Sequence, residues 1–255
     1  MSEMIAVPPA LKAFFQEHYR PAIAFSGGTD SAYLLYAAKS CGCEVHAYYV
    51  HSQFQPGFEL EDAKLLAEGL DIPLTILETD VLAYKAVAEN PADRCYHCKR
   101  ILFAGILEAA ARDGYLVLCD GTNASDDASD RPGMRALREL EVRSPLRECG
   151  ISKPQVRKFS KKAGLFTWDK PAYACLATRI PTGTEITAEM LTKVERAEQA
   201  LMEMGFSDLR VRVFHSAARI QLPQAQFERA VRLRGEICKT LEPDFAGVFL
   251  DLDPR

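Results

Sequence analysis

Three short stretches of this chain place reactive or ion-binding side chains at spacings that chemistry uses. Ser26-Gly27-Gly28-Thr29-Asp30-Ser31 lies between an apolar run, Pro21-Ala22-Ile23-Ala24-Phe25, and a helix-like one, Ala32 to Ala38. A strand that passes through paired glycines into a helix turns backbone N–H groups, and the positive end of the helix dipole, toward an anion. Phosphate suits such a cradle, although paired glycines also make ordinary tight turns. No Gly-Lys-Ser/Thr follows and no lysine lies in the turn, which separates it from a Walker A loop. Asp120-Gly121-Thr122-Asn123-Ala124-Ser125-Asp126-Asp127 follows a second apolar run and should share the cradle's sheet edge. Asp30, Asp126 and Asp127 can hold Mg²⁺ against phosphate oxygens; the alternative is an Asx-rich turn with no ion.

Eight cysteines in a chain expected to be cytosolic do not suggest a disulfide framework. Cys95-Tyr96-His97-Cys98 is one CxxC pair, half of a tetrahedral zinc site, and no second CxxC or HxxxH completes it. With Cys175 as a third thiolate, the set can hold three irons of a [4Fe-4S] cluster and leave one iron open. A redox pair and incidental thiols are the alternatives. Arg94, Lys99 and Arg100 beside the pair suit thiolate chemistry of either kind. Cys41, Cys43, Cys119, Cys149 and Cys238 read as ordinary buried or incidental thiols. His18, His46, His51 and His215 are scattered and read as structural or exposed, and Trp168 reads as core.

The elements that must position these groups alternate from the start. Helices are expected over 11–19, 30–39, 59–68 and 99–112, and strands over 22–25, 45–50, 74–77 and 116–119. Ser152 is a plausible N-cap for a helix to Ala163, with Gly164 as its C-cap. The order predicts a doubly wound, mainly parallel sheet with its ligand at the strand C-termini, in a domain spanning 1–166. Residues 168–183 read as a long functional loop carrying Cys175. A helix over 188–204, strands over 210–214 and 219–222, a helix over 224–239 and a strand over 247–250 make a small α+β domain, 167–255. Arg210 and Arg212 share one face of their strand, an arrangement suited to a bidentate grip on phosphate; the alternative is a solvated charged face.

With 255 residues, 48% of them hydrophobic, the chain can bury a substantial core. It has no membrane-spanning run and no signal-like N-terminus, so a cytoplasmic location is expected. A net charge of -4 gives no global reason to expect nucleic acid, and small-molecule partners are favoured.

The pattern Ser-Gly-Gly-x-Asp-Ser resembles the PP-loop of ATP pyrophosphatases, the adenine nucleotide alpha hydrolase-like fold. Together with Arg94-Cys95-Tyr96-His97-Cys98-Lys99, Asp120-Gly121-Thr122-Asn123, Arg131-Pro132-Gly133 and the segment Asp169 to Pro181, it resembles the LarE family from about Ile23 to Ile220. Members make the nickel-pincer nucleotide of lactate racemase. The resemblance implies adenylylation of the carboxylates of pyridinium-3,5-biscarboxylic acid mononucleotide and replacement of oxygen by sulfur, with ATP and Mg²⁺. It implies nucleotide contacts from Ser26 to Ser31 and from Gly121, Thr122 and Asn123. Thr178, Arg179, Glu198, Arg210 and Arg212 fall where substrate phosphate and subunit contacts are expected, with Thr178 standing in place of a serine. Two sulfur sources occur in the family: a sacrificial cysteine at the position of Cys175, which becomes dehydroalanine, or a three-cysteine [4Fe-4S] cluster refilled by a sulfur donor. Cys95 and Cys98 beside Cys175 resemble the cluster branch. A homo-oligomer, a hexamer by resemblance, is also implied.

A PP-loop tRNA thiolase is the nearest rival, but the chain has neither paired zinc fingers nor a basic excess. Amidating relatives such as NAD synthetases would need ammonia rather than thiols. A nucleotide sensor or metal–sulfur carrier that binds without turnover is the non-enzyme alternative.

Overall fold

The structure, a computed structural model, describes residues 7–126 and 132–255. In chain order the elements are α1 Pro9–Glu17, β1 Pro21–Ala24, α2 Thr29–Ser40, β2 His46–His51, α3 Gly57–Gly69, β3 Leu74–Glu78, the single turn α4 Lys85–Ala88, α5 Arg94–Arg112 and β4 Val117–Cys119. Then follow α6 Pro132–Glu139, α7 Pro145–Glu148, α8 Lys153–Lys162, α9 Ala188–Glu203, β5 Arg210–Phe214, β6 Ala217–Gln221, α10 Phe227–Arg232, α11 Arg234–Leu241 and β7 Val248–Leu250.

Two compact units form. The first comprises residues up to Ser52 with Gly57–Thr79 and Asp93–Lys170; the second comprises Gln53–Pro56, Asp80–Ala92 and Pro171–Arg255. The expected division after residue 166 differs from this in two ways. The first unit runs on to Lys170, and two short early segments belong with the C-terminal one.

In the first unit the strands run parallel in the order β3-β2-β1-β4. Alternating residues of each strand bury on opposite faces, as the two-residue strand period requires. Ile23, Ala47 and Tyr49 pack with Leu11 and Phe15 of α1, Leu34 of α2 and Leu66 of α3. Their neighbours Ala22, Tyr48 and Val50 pack with Ile106, Ala109 and Ala110 of α5. Helices therefore cover both faces, the doubly wound arrangement. The chain adds β2 and β3 on one side of β1 and then returns to place β4 on the other, so the switch point lies between β1 and β4, where α/β sheets bind ligands.

The second unit has the sheet order β5-β6-β7, with β5 and β6 antiparallel and β6 and β7 parallel. Val211, Ala218 and Ile220 bury against Ala197 and Leu201 of α9 and Ile237 and Leu241 of α11. The expected helix over 224–239 is instead two helices, α10 and α11, separated at Leu233. α6 was not anticipated, and β6 begins two residues earlier than expected.

Candidate active site

The switch point holds the glycine cradle. Gly28 caps α2 with extended backbone and no side-chain cap. The first N–H groups of α2 accordingly have no intrahelical acceptor and are available to an anion. Gly27 takes φ of +70°, and a Cβ there would lie 2.9 Å from the carbonyl oxygen of Glu59. Both conditions demand glycine. The hydroxyls of Ser26 and Ser31 are 3.2 Å apart, and Ser31 Oγ donates at 3.3 Å to Gly28 O, contacts long enough to yield to a ligand. Thr29 is different: it is buried and its hydroxyl donates to Thr167 O at 2.8 Å, a structural tie.

The loop after β4 arrives beside this cradle because Gly121 has no side chain. A Cβ on Gly121 would stand 2.8 Å from Ser31 N and 3.1 Å from Ser31 Cα. Asp120, which precedes it, is buried and shapes the loop by accepting from Ser144 Oγ at 2.7 Å, Thr122 Oγ1 at 2.5 Å and Thr122 N at 3.2 Å. Asn123 Nδ2 donates to Asp30 Oδ1 at 3.3 Å, joining the two loops. Asp126 Oδ2 accepts from Asn123 N at 2.8 Å, closing the Asx turn; Asp127 and Arg131 lie outside the described residues.

Sequence reasoning missed a lysine. Lys153 Nζ reaches Asp30 Oδ2 at 2.5 Å from the first turn of α8. Its placement follows from the capping box of Ser152 and Gln155, which fixes where α8 starts. The Ser152 cap was visible in the sequence, and the residue after it was the available signal. Burial pushes the Asp30 carboxyl above its ordinary value, while the hydrogen bond and charge of Lys153 act the other way. A cation thus stands at the mouth of the cradle, where a Walker A loop would carry its own. Lys170 adds a second, bonded to Asp62 at 2.7 Å and to Gly27 O at 3.3 Å.

Cys95 and Cys98 lie in the first turn of α5, which begins five residues before the expected start. Their i, i+3 spacing puts both sulfurs on one helix face, Cys95 exposed and Cys98 buried. Arg94 Nη2 approaches Cys95 Sγ at 3.6 Å. The pair fits two ligands of a larger set, although no group of three or more His, Cys, Asp or Glu side chains converges on one point among the described residues. Burial raises the thiol pKa of Cys41 and Cys149 and pushes Cys43 up to about 11, so these three stay protonated.

In the second unit Cys175 opens a 3-10 turn, Leu176–Arg179. Its carbonyl accepts from Thr178 N at 3.0 Å and from Thr178 Oγ1 at 2.9 Å. Arg179 is sealed in: Nε and Nη2 grip Glu198 at 2.8 and 3.0 Å, and Nη1 donates to Ala174 O at 2.7 Å and Thr178 Oγ1 at 2.9 Å. Glu198 Oε1 also accepts from Val211 N at 2.8 Å, and Glu198 Oε2 accepts from the Tyr173 hydroxyl. Arg212 Nη1 donates to Thr178 O at 2.8 Å. Four of the five residues expected at the substrate phosphate, Thr178, Arg179, Glu198 and Arg212, thus belong to or bond the Cys175 turn, and Arg210 lies on β5 two residues before Arg212. Arg179 and Glu198 satisfy each other and hold that turn, whereas Arg210 and Arg212 keep donors for a ligand.

A parallel sheet with a Ser-Gly-Gly-x-Asp-Ser cradle at its switch point defines a PP-loop ATP pyrophosphatase, an ATP-using enzyme. A family model described as queuosine biosynthesis protein QueC matches residues 21–91. The chain is 39% identical to an uncharacterized protein of Synechocystis over 95% of this chain and 91% of that one. It is 30% identical, over 99% of this chain and 92% of the relative, to pyridinium-3,5-bisthiocarboxylic acid mononucleotide synthase of Lactiplantibacillus plantarum. A tRNA-specific 2-thiouridylase of Clostridium botulinum is 26% identical over 58% of this chain and 51% of its own length. The chain belongs to the LarE family, and its chemistry is ATP-dependent sulfur transfer. Among the described residues no helix is long and apolar enough to cross a membrane.

Proposed function

We propose that this enzyme adenylylates the carboxylates of pyridinium-3,5-biscarboxylic acid mononucleotide and converts them to thiocarboxylates. The observation that carries this reading is the likeness, along 99% of the chain, to a synthase named for the bisthiocarboxylic product. A carboxylate oxygen is a poor leaving group. Its attack on the α-phosphorus of ATP expels pyrophosphate and leaves an acyl adenylate, which loses AMP when sulfur attacks the carbonyl carbon. In this reading the N–H groups of Gly28 to Ser31 and the Lys153 ammonium hold the departing pyrophosphate. Mg²⁺ is carried by Asp30 with Asp126 and Asp127. Arg210, Arg212 and the Thr178 hydroxyl take the substrate phosphate, and Arg179 and Glu198 serve that site through the turn they hold. Cys95, Cys98 and Cys175 would hold a [4Fe-4S] cluster, which would supply sulfide as the nucleophile. The working form is a homo-oligomer, a hexamer by resemblance, which light scattering checks.

The test is anaerobic purification of the wild type beside Cys95→Ala, with iron, acid-labile sulfide and absorption spectra, followed by ATP and substrate. About four irons per chain that bleach in the variant, with pyrophosphate released only when the pyridinium substrate is present, is the expected result. A colourless wild type that cannot be reconstituted, and in which Cys175 loses the mass of H₂S on turnover, replaces the cluster with sacrificial chemistry. Thiolation of tRNA in place of the mononucleotide overturns the substrate.

A further inference from the structure

Arg157 was singled out by no motif, and it stands one turn beyond Lys153 on the same face of α8. Its guanidinium spans two backbone carbonyls, Nη1 donating to Trp168 O at 3.1 Å and Nη2 to Lys170 O at 2.9 Å. Both carbonyls lie at the end of the 3-10 turn Phe166–Asp169. The charge also bears on the cradle: burial raises the Asp30 pKa, and Arg157 adds to Lys153 in opposing it.

The turn that Arg157 holds is bonded to the glycine cradle at two points. Thr167 O accepts from the Thr29 hydroxyl at 2.8 Å, and the Lys170 ammonium, anchored on Asp62 Oδ2 at 2.7 Å, reaches Gly27 O at 3.3 Å. A trans peptide is planar, with its C=O and N–H pointing opposite ways, so an ammonium on Gly27 O directs the N–H of Gly28 to the other side and polarises it as a donor. That N–H has no acceptor among the described residues and is one of those open to an anion at the start of α2. Arg157, the turn, Asp62 and the cradle all belong to the first unit.

We propose that Arg157 is a positioning residue for the pyrophosphate of ATP: it clamps the turn from Thr167 to Lys170 against the cradle, and the turn fixes the Gly27–Gly28 peptide and Thr29 in the orientation that receives the anion. The assignment rests on the reading of Ser26 to Ser31 as the pyrophosphate cradle and is independent of which carboxylate is activated. Trp168, the one tryptophan of the chain, sits in the clamped turn with the Lys161 ammonium 4.2 Å from its ring centroid, and so reports on the turn directly.

Arg157→Gln and Arg157→Lys test it in the full-length protein, with Mg-pyrophosphate and Mg-ATP as probes, calorimetry for affinity and acrylamide quenching of Trp168 for the turn. Losing hydrogen bonds from a charged donor should weaken both ligands by the same factor, about tenfold, in Arg157→Gln, since the loss falls on the pyrophosphate they share. Trp168 should be more readily quenched in the free variant, and saturating Mg-pyrophosphate should restore part of its protection, because coupling between turn and cradle acts in both directions. Arg157→Lys, whose single ammonium does not span both carbonyls, should fall between, and it decides the matter should the glutamine variant fail to fold. Wild-type pyrophosphate affinity in a folded Arg157→Gln, or in Arg157→Lys where only that variant folds, overturns the assignment. So does a loss confined to ATP, which would put the effect at the nucleoside. Weakened binding with Trp168 quenching that the ligand leaves untouched overturns the route through the turn. A wild type that binds Mg-ATP but not Mg-pyrophosphate removes the cradle reading and this assignment together.

Discussion

Burial sets the ionised form of Asp30 against the stability of the fold. Burial lifts its folded pKa above the ordinary carboxylate value despite Lys153 at 2.5 Å. A folded pKa above the unfolded one means that this group's contribution to stability is complete below the ordinary carboxylate pKa and is lost as pH rises through the folded value. Asp30→Asn should therefore raise the Tm of the ligand-free protein at pH 7, by about 2 °C, and the gain should vanish as pH falls toward 4. With Asp30 holding the proposed Mg²⁺, the same variant should lower ATP–pyrophosphate exchange at least tenfold. Thermal unfolding by circular dichroism across that pH range, beside an exchange assay, checks both; a lower Tm at pH 7 would sink the argument. Asp30 and the glycines were legible because a short motif carries them. Lys153 was not, because it reaches Asp30 across 123 positions and only folding brings them together.

At the scale of elements, legibility followed the strength of the local signal. The strands β1 to β4 were anticipated to within about a residue because each is an apolar run bounded by polar turns. The start of α5 was missed for a physical reason: its first turn, Arg94-Cys95-Tyr96-His97-Cys98, is polar, and Asp93 makes no side-chain cap that would mark it. That omission separated the cysteine pair from the helix that aligns it. The sequence put the β4 loop on the cradle's sheet edge but did not show how closely Gly121 lies against the start of α2, since glycine in a polar loop looks the same whether or not another backbone lies against it. Gly121→Ala tests that approach. Its Cβ would meet backbone atoms of Ser31, which cannot rotate away, so the variant should lose about 1–3 kcal/mol of stability and much of its ATP affinity. Gly105→Ala is the matched control: it lies within α5 with nothing inside 4 Å, and it should gain about 0.5–1 kcal/mol with nucleotide binding intact. Equal behaviour of the two variants in urea titrations would show that the close approach does not constrain the site.

For the molecule as a whole, chemistry is divided between two units with separate cores. The nucleotide cradle, Asp30, Lys153 and the cysteine pair belong to the first; Cys175 and the arginines belong to the second. A net charge of -4 is silent about a local concentration of guanidinium groups, and it was strand alternation that pointed to Arg210 and Arg212. Segments 53–56 and 80–92 were hidden, since their membership in the second unit is set by non-local packing, such as Leu176 N on Phe54 O at 2.9 Å and Asn90 Nδ2 on Pro181 O at 2.8 Å. The Arg179–Glu198 pair, its side chains 0% and 1% exposed, holds that unit's site together. Breaking a pair buried this deeply strands a charge, and Glu198→Gln should cost about 3–5 kcal/mol. Because the second unit has its own core, the loss should fall there: sulfur transfer and phosphate binding should disappear while ATP affinity, read by calorimetry, stays at the wild-type value. A variant that keeps its Tm would show that Arg179 finds another counterion. One that loses ATP binding together with sulfur transfer would show that the two units do not fold as separate cores, and that the division of labour drawn here between cradle and arginine site is wrong.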